Sequence, residues 1–310
     1  MKSRTILTAA ALAVAFFVSL PAFSAPPNEK TRAAFPAFNI VSNIYYVGTQ
    51  ELACYIIKTS DGLILLNTGF PENTPQIEKS MESLGFHMKD VKILLISHAH
   101  IDHDGGAQDV IKMSGAKYYV MVKDVEVVES GGKLDYHYWN NPEEYYPAVK
   151  VDRVLHDGDK VELGGTVMTA HWTPGHTKGN TTWTMDVTVG GKLQHVVFIG
   201  SPNGNRNMIL LHNTRYLNIV SDFEKGFAAL RALPCDIPLG SHGNYFDLPT
   251  KYARWKAGDK NAFIDPEGYK AFIDKTQHIF EAEVAKQVAK IQDEAPPSPQ
   301  IPGSMPAAAK

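Results

Sequence analysis

Apolar residues in this chain gather in short runs divided by turn chemistry, and the period of the runs changes along the sequence. From Phe38 to Phe70 the pattern is of short strands: 44–47, 53–58 and 63–66. Val47-Gly48 and Ser60-Asp61-Gly62 separate them, the second being a hairpin signal. A helix is expected over 75–84, where Ile77, Met81 and Leu84 fall on one face. The run 91–96 is continuously apolar from Ile93 onward rather than alternating, as in a strand covered on both sides. A helix over 107–113 and a strand over 116–121 follow. Strands are then expected at 151–155, 160–163, 166–172, 181–186 and 195–199, a helix at 222–233, and a strand at 237–240. Phe272, Ile279, Phe280 and Val284 mark one face of a closing helix over 266–291. Strands alternating with helices predict α/β architecture with covered sheets, not an all-β sandwich.

The two ends read differently. Lys2 and Arg4, an apolar stretch over 6–20 and Ala22-Phe23-Ser24 make residues 1–24 a cleavable export signal. The stretch is short for a membrane span, and Pro21 with its small neighbours favours cleavage. The mature chain is therefore expected in a periplasm or outside the cell, with no membrane attachment. Residues 25–293 are expected to form one domain, and the Pro-rich tail 294–310 to be disordered. Net charge is −3 with no long basic run, so nothing points to nucleic acid or an anionic membrane. Cys54 and Cys235 are the two cysteines; they either pair or stay as reduced thiols, the second being favoured because pairing geometry is demanding.

The chemistry concentrates after the run 91–96, in Ser97-His98-Ala99-His100-Ile101-Asp102-His103-Asp104-Gly105-Gly106. Three histidines and one carboxylate occupy six positions at the end of a buried strand. His98 and His100 share a side if strand geometry persists. Asp102 and His103, being adjacent, are expected to point apart and so to serve a second metal beside the first. Nitrogen and carboxylate donors suit zinc, and iron or manganese accept the same types. Two more glycine-flanked histidines, His176 and His242, also follow strand-like runs. Residues 130–148 break the alternation, with Tyr136, Tyr138, Trp139, Tyr145 and Tyr146 among Asn and Pro. Such a segment either walls a pocket or packs on its own domain. His171 lies near enough to His176 to support it, or is an ordinary residue.

Taken together, these three histidine loops resemble the metallo-β-lactamase superfamily, from about Phe38 to Val288, through a His-x-His-x-Asp-His motif specific to that family. The resemblance implies a four-layer αβ/βα sandwich and two zinc ions per chain. His98, His100 and His176 would hold the first, and Asp102, His103 and His242 the second. Glyoxalase-like and lactonase-like members usually carry a metal-bridging aspartate after the strand that follows His176; here that position is Ser201. A hydroxyl cannot replace a bridging carboxylate, so the chain is similar to class B β-lactamases of the third subclass. Trp172-Thr173-Pro174-Gly175-His176-Thr177 and Leu233-Pro234-Cys235-Asp236 are similar to that subclass as well. Asn203 departs from it, standing where a second serine is frequent. The implied function is hydrolysis of a β-lactam by a monomer, with Asp102 also orienting the attacking oxygen. Ser201 and Asn203 would bind the substrate, with Arg206 as a carboxylate clamp or a solvated surface residue. The alternatives are another exported metallohydrolase, a lactonase or thioesterase, and a zinc-binding module without turnover.

Overall fold

The computed structural model describes residue 31 and residues 33–294. The export signal expected at 1–24 lies outside the described residues. The closing helix reaches Glu294, the first residue assigned to the tail, and the rest of that tail also lies outside.

Two sheets face each other. The first runs in chain order through β1 (Phe38–Val41), β2 (Ile44–Tyr46), β3 (Tyr55–Thr59), β4 (Gly62–Leu66), β5 (Val91–Leu95), β6 (Lys117–Met121) and β7 (Arg153–Leu155). Its first four strands are antiparallel, and Thr59 pairs with Gly62 across the turn Ser60-Asp61. From β4 onward the pairs are parallel. Parallel neighbours need a crossover, and the helices Thr74–Ser83 and Ala107–Ser114 supply two of them. The second sheet has the order β12-β11-β10-β9-β8, built from β8 (Lys160–Leu163), β9 (Thr166–Trp172), β10 (Thr181–Val189), β11 (Lys192–Ile199) and β12 (Ile237–Gly240). β12 runs parallel to β11 after the helix Ile219–Ala232.

The two-residue period of the strands builds two cores from the same segments. Tyr55, Ile57, Ile64, Leu66, Ile93 and Leu95 pack with Trp183, Phe198 and Ile199 of the second sheet. Their neighbours Ile56, Leu63, Leu65 and Leu94 pack with Ile77, Met81 and Val110 of the covering helices. Phe223 and Phe227 meet Phe280 of the closing helix Pro266–Glu294 on the far side. The layers are therefore helix, sheet, sheet, helix, as expected. Polar tips join the sheets as well: Trp183 donates Nε1–H to the carbonyl of Ile96 at 3.0 Å, and Tyr55 donates its hydroxyl to Gly240 at 2.7 Å.

One local expectation is corrected. Strand geometry does not carry past β5 into the histidine cluster; a helical turn, Ile101–Asp104, begins after His100. Asp102 and His103 thus do not point apart, and their polar ends lie 3.2 Å from each other. In a strand adjacent side chains diverge, but adjacent helical residues are only about 100° apart. The short strand β1 and the helices Val125–Glu129 and Leu248–Lys256 lack a strong period and are not singled out by the sequence.

Candidate metal centre

Three loops at one end of the sheet pair carry the histidines. The first follows β5, the second joins β9 to β10, and the third follows β12. Each is fixed by backbone constraints. Gly105 is required by space rather than by an unusual φ: a Cβ there would lie 2.4 Å from the carbonyl of Ile101 and 2.6 Å from Pro71. Gly243 is required in the same way, because a Cβ would fall 2.2 Å from the carbonyl of Gln50. That close approach lets Gly243 donate to Glu51 and Ala53 donate to Ser241, so His242 is held on both sides.

The donor atoms converge in two adjoining groups. His98, His100 and His176 form the first, with His100 Nδ1 and His176 Nε2 3.1 Å apart. In the second, His103 Nε2 and His242 Nε2 are 3.1 Å apart, and Asp102 Oδ2 lies 3.2 and 3.6 Å from them. His98 stands close to both groups, its ring centroid 4.5 Å from that of His176 and 4.3 Å from that of His103.

The donor set fits metal ions. Two ring nitrogens at 3.1 Å can share one proton at most, and His98 Nε2 is buried with no hydrogen-bond partner among the described residues. A cation in each group would satisfy these lone pairs together. The outer nitrogens agree with that assignment. His176 Nδ1–H donates to the carbonyl of Asn203 at 2.7 Å, which leaves Nε2 as the lone-pair atom. His100 turns Nε2 toward Asp135 at 3.4 Å, leaving Nδ1 facing inward, and Ser97 Oγ lies 3.2 Å from His98 Nδ1. Electrostatics points the same way at His98, His176, His242 and Asp102; at His100 burial lowers the imidazole but Asp135 outweighs it and raises it. Burial, then the neighbouring rings, hold His98 and His176 neutral, well below the ordinary imidazole range. Burial and His103 bring His242 down to about 4. Burial opposes ionisation of Asp102, but the adjoining His103 outweighs it and keeps the carboxylate charged. Metal binding requires these states, neutral imidazoles and an ionised carboxylate.

Several supports could not be picked out from sequence. Asp124, buried after β6, accepts hydrogen bonds from Ala99 N at 3.0 Å, Thr177 Oγ1 at 2.8 Å and Gly179 N at 2.7 Å. One carboxylate therefore ties the first ligand loop to the second. Asn67, in the left-handed region at φ 64°, accepts from Ser97 N and donates to Ala53, joining the first loop to the segment beneath His242. Asp104 is buried against the hydroxyl of Tyr118, and burial pushes its carboxyl up to about 8. Asp124 and Asn67 belong to no motif; each is a lone polar residue whose role arises only once the loops meet, and Asp104, though it adjoins His103, is turned away to Tyr118.

A cavity of about 620 Å³ opens over both groups. His100, Asp102, His176 and His242 line it together with Ser201, Asn203 and Arg206. Ser201 is buried and its Oγ lies 2.7 Å from Tyr245 Oη. Asn203 serves through its backbone on His176, and Arg206 is exposed at the rim. Residues 130–148 do both things their composition allows. Tyr138 walls the cavity, while Tyr136 and Tyr146 donate hydroxyls to the carbonyls of His176 and Ala99, each at 3.0 Å. His171 is not part of the centre; its Nε2 lies 2.8 Å from Thr184 Oγ1 on the neighbouring strand. Cys54 and Cys235 are free thiols, the first buried.

Comparison with known proteins accords with this geometry. Residues 52–188 match the family model of the metallo-beta-lactamase superfamily. The native FEZ-1 metallo-beta-lactamase from Legionella gormanii is 48% identical, covering 82% of this chain and 97% of its own, with a TM-score of 0.81. BJP-1, a subclass B3 metallo-beta-lactamase of Bradyrhizobium japonicum, is 38% identical over 85% of this chain and 98% of its own, at a TM-score of 0.80. The chain belongs to the metallo-beta-lactamase superfamily and is a metal-binding hydrolase, with class B3 enzymes among its structural neighbours. A more distant likeness, 22% identity over 205 residues, links it to an atrochrysone carboxyl ACP thioesterase of Aspergillus fumigatus, of whose length this chain spans 40%.

Proposed function

We propose that the protein is an exported, monomeric β-lactamase that opens the four-membered lactam amide using two zinc ions. The observation that carries this reading is the end of β11: Ser201, not a carboxylate, lines the cavity between the loops of His176 and His242. Without a bridging acid, each group keeps its own three protein donors. His98, His100 and His176 would hold the first ion, and Asp102, His103 and His242 the second. Zinc bound there would generate a nucleophile from water near neutral pH and polarise the substrate carbonyl.

The chain's own residues do the rest. Asp102, kept ionised against burial by the adjoining His103, accepts a hydrogen bond from the attacking oxygen and so aims it at the carbonyl carbon. Ser201 and Asn203 offer neutral polar groups to the substrate, and Arg206 at the rim offers charge to its carboxylate. Tyr138 shields one side from bulk water, and a cavity of about 620 Å³ is of small-molecule size. Ser201 binds rather than attacks, since no general base is placed on its hydroxyl; Tyr245 occupies it instead.

Parallel assays of the zinc-loaded mature chain on a cephalosporin, a carbapenem, an acyl-homoserine lactone and an acyl thioester decide the substrate class. β-Lactam turnover is expected to exceed the other two by orders of magnitude. A lactone or thioester preferred over both β-lactams would overturn the reading.

A further inference from the structure

Beside the metal pocket, four cations from separate stretches of chain meet around a second cavity, of about 360 Å³. Lys123 follows β6, Lys178 lies in the loop that carries His176, Arg215 precedes the helix Ile219–Ala232, and Lys225 lies within it. The whole chain has a net charge of −3, so this concentration runs against its average. Asp222 lines the same cavity but is bonded to Lys225 at 2.8 Å. Aromatic faces hold the cations in place: Arg215 sits 3.6 Å above Trp139, Lys178 is 5.6 Å from the Tyr216 ring, and Lys225 is 5.8 Å from Trp172.

Among these cations stands Leu217, 83% exposed and the most exposed large hydrophobic residue of those described. Trp139, under Arg215, is also exposed. An apolar side chain projecting from a ring of lysine, arginine and indole is the composition of an interfacial membrane contact. The apolar atoms enter the headgroup boundary while the cations meet lipid phosphates. A dissolved polyanion would pair with the cations but would leave Leu217 in water, so the leucine discriminates between the two partners. We propose that this surface docks the protein reversibly on a bilayer rich in anionic phospholipid. The contact proposed is peripheral; no helix among the described residues is long and apolar enough to cross a membrane. Such docking departs from the expectation of no membrane attachment because the sequence has no basic run, and the patch exists only after folding brings its four segments together.

The test is co-sedimentation of the zinc-loaded mature chain with vesicles of phosphatidylglycerol and phosphatidylcholine, and with phosphatidylcholine alone. Binding is expected to the anionic vesicles only and to weaken as salt rises, since charges at this surface are screened within about 10 Å at 0.1 M salt. Lys123→Glu with Arg215→Glu should reduce it by at least about tenfold, from about fivefold per cation near the surface. Leu217→Asp should reduce it several-fold, with an unchanged melting temperature because the side chain touches solvent. Equal binding to neutral vesicles, or no binding to anionic ones at low salt, would overturn the proposal. So would a Leu217→Asp protein that binds anionic vesicles as the parent does while soluble polyphosphate competes fully, which would mark a polyanion site.

Discussion

The floor and the rim of the metal pocket are built on opposite principles. On the floor, His98, His100, His103 and His176 are buried, the carbonyl of Asn203 fixes the outward nitrogen of His176, and Asp135 faces that of His100 at 3.4 Å. Asp124 and Asn67 then tie the ligand loops to one another. At the rim, Arg206 and Glu143 are exposed, and Gly204 has open space around it, with Met208 its nearest neighbour at 3.5 Å. Chemistry that must be placed to a fraction of an ångström sits where the fold over-determines position. Selection among substrates sits where side chains are free to differ.

This contrast can be broken from the floor outward. On the proposed mechanism, Asp102→Ala removes both a metal donor and the group that aims the attacking oxygen. Its kcat/KM on a cephalosporin should fall by at least about a thousandfold, equivalent to roughly 4 kcal/mol, with the circular dichroism spectrum unchanged. Near-parental turnover at saturating zinc would remove Asp102 from the mechanism.

Asp124→Asn tests the brace beneath the ligands, and pH separates its effect from simple unfolding. Burial pushes the Asp124 carboxyl up to about 6, against the hydrogen bonds of Thr177, Gly179 and Ala99, from an ordinary value of 3.8. The folded metal-free protein therefore holds this proton more tightly than the unfolded chain. The resulting stability is fully present below about pH 4 and is lost as pH rises through about 6. In urea unfolding of the metal-free protein, the difference between parent and asparagine variant isolates this contribution, because the buried histidines His98, His176 and His242, which shift stability the opposite way over the same window, are common to both. That difference should fall by about 3 kcal/mol at most as pH rises from about 4 through about 6, since the asparagine cannot ionise there.

Asp135→Ala leaves all six donors in place but frees the ring of His100. Zinc affinity, read by competition with a chromophoric chelator, should weaken about 10- to 100-fold. A change confined to kcat, with affinity intact, would mean that Asp135 acts on substrate rather than on the ligand. Arg206→Ala addresses the rim and should have the smallest effect. An exposed charge contributes about 1 kcal/mol or less, so KM should rise about fivefold at most with kcat unchanged.

How much of this was readable in the sequence follows the same division. The continuous run that became β5 announced itself by period, and the strands of the second sheet as short apolar runs divided by turn residues. The six donors did so by residue type, position after a strand and flanking glycine. The helical turn Ile101–Asp104 did not, because four residues are too few to show a period, and it is this turn that brings Asp102 against His103. Asp124, Asp135 and Asn67 were equally silent. Isolated polar residues carry no local signal, and their partners lie up to 55 positions away. The aromatic segment 130–148 was visible as an anomaly, but only the folded chain divides it into Tyr138 for the pocket and Tyr136 and Tyr146 for the ligand loops.

The most direct test of a two-zinc β-lactamase is metal titration read by nitrocefin hydrolysis. The mature chain is stripped with a chelator, dialysed, and reloaded with zinc while bound metal and rate are measured together. Hydrolysis should vanish in the stripped protein and return in full as binding reaches two ions per chain. Hydrolysis that survives metal removal, or a chain that binds two zinc ions and still leaves nitrocefin intact, would contradict it.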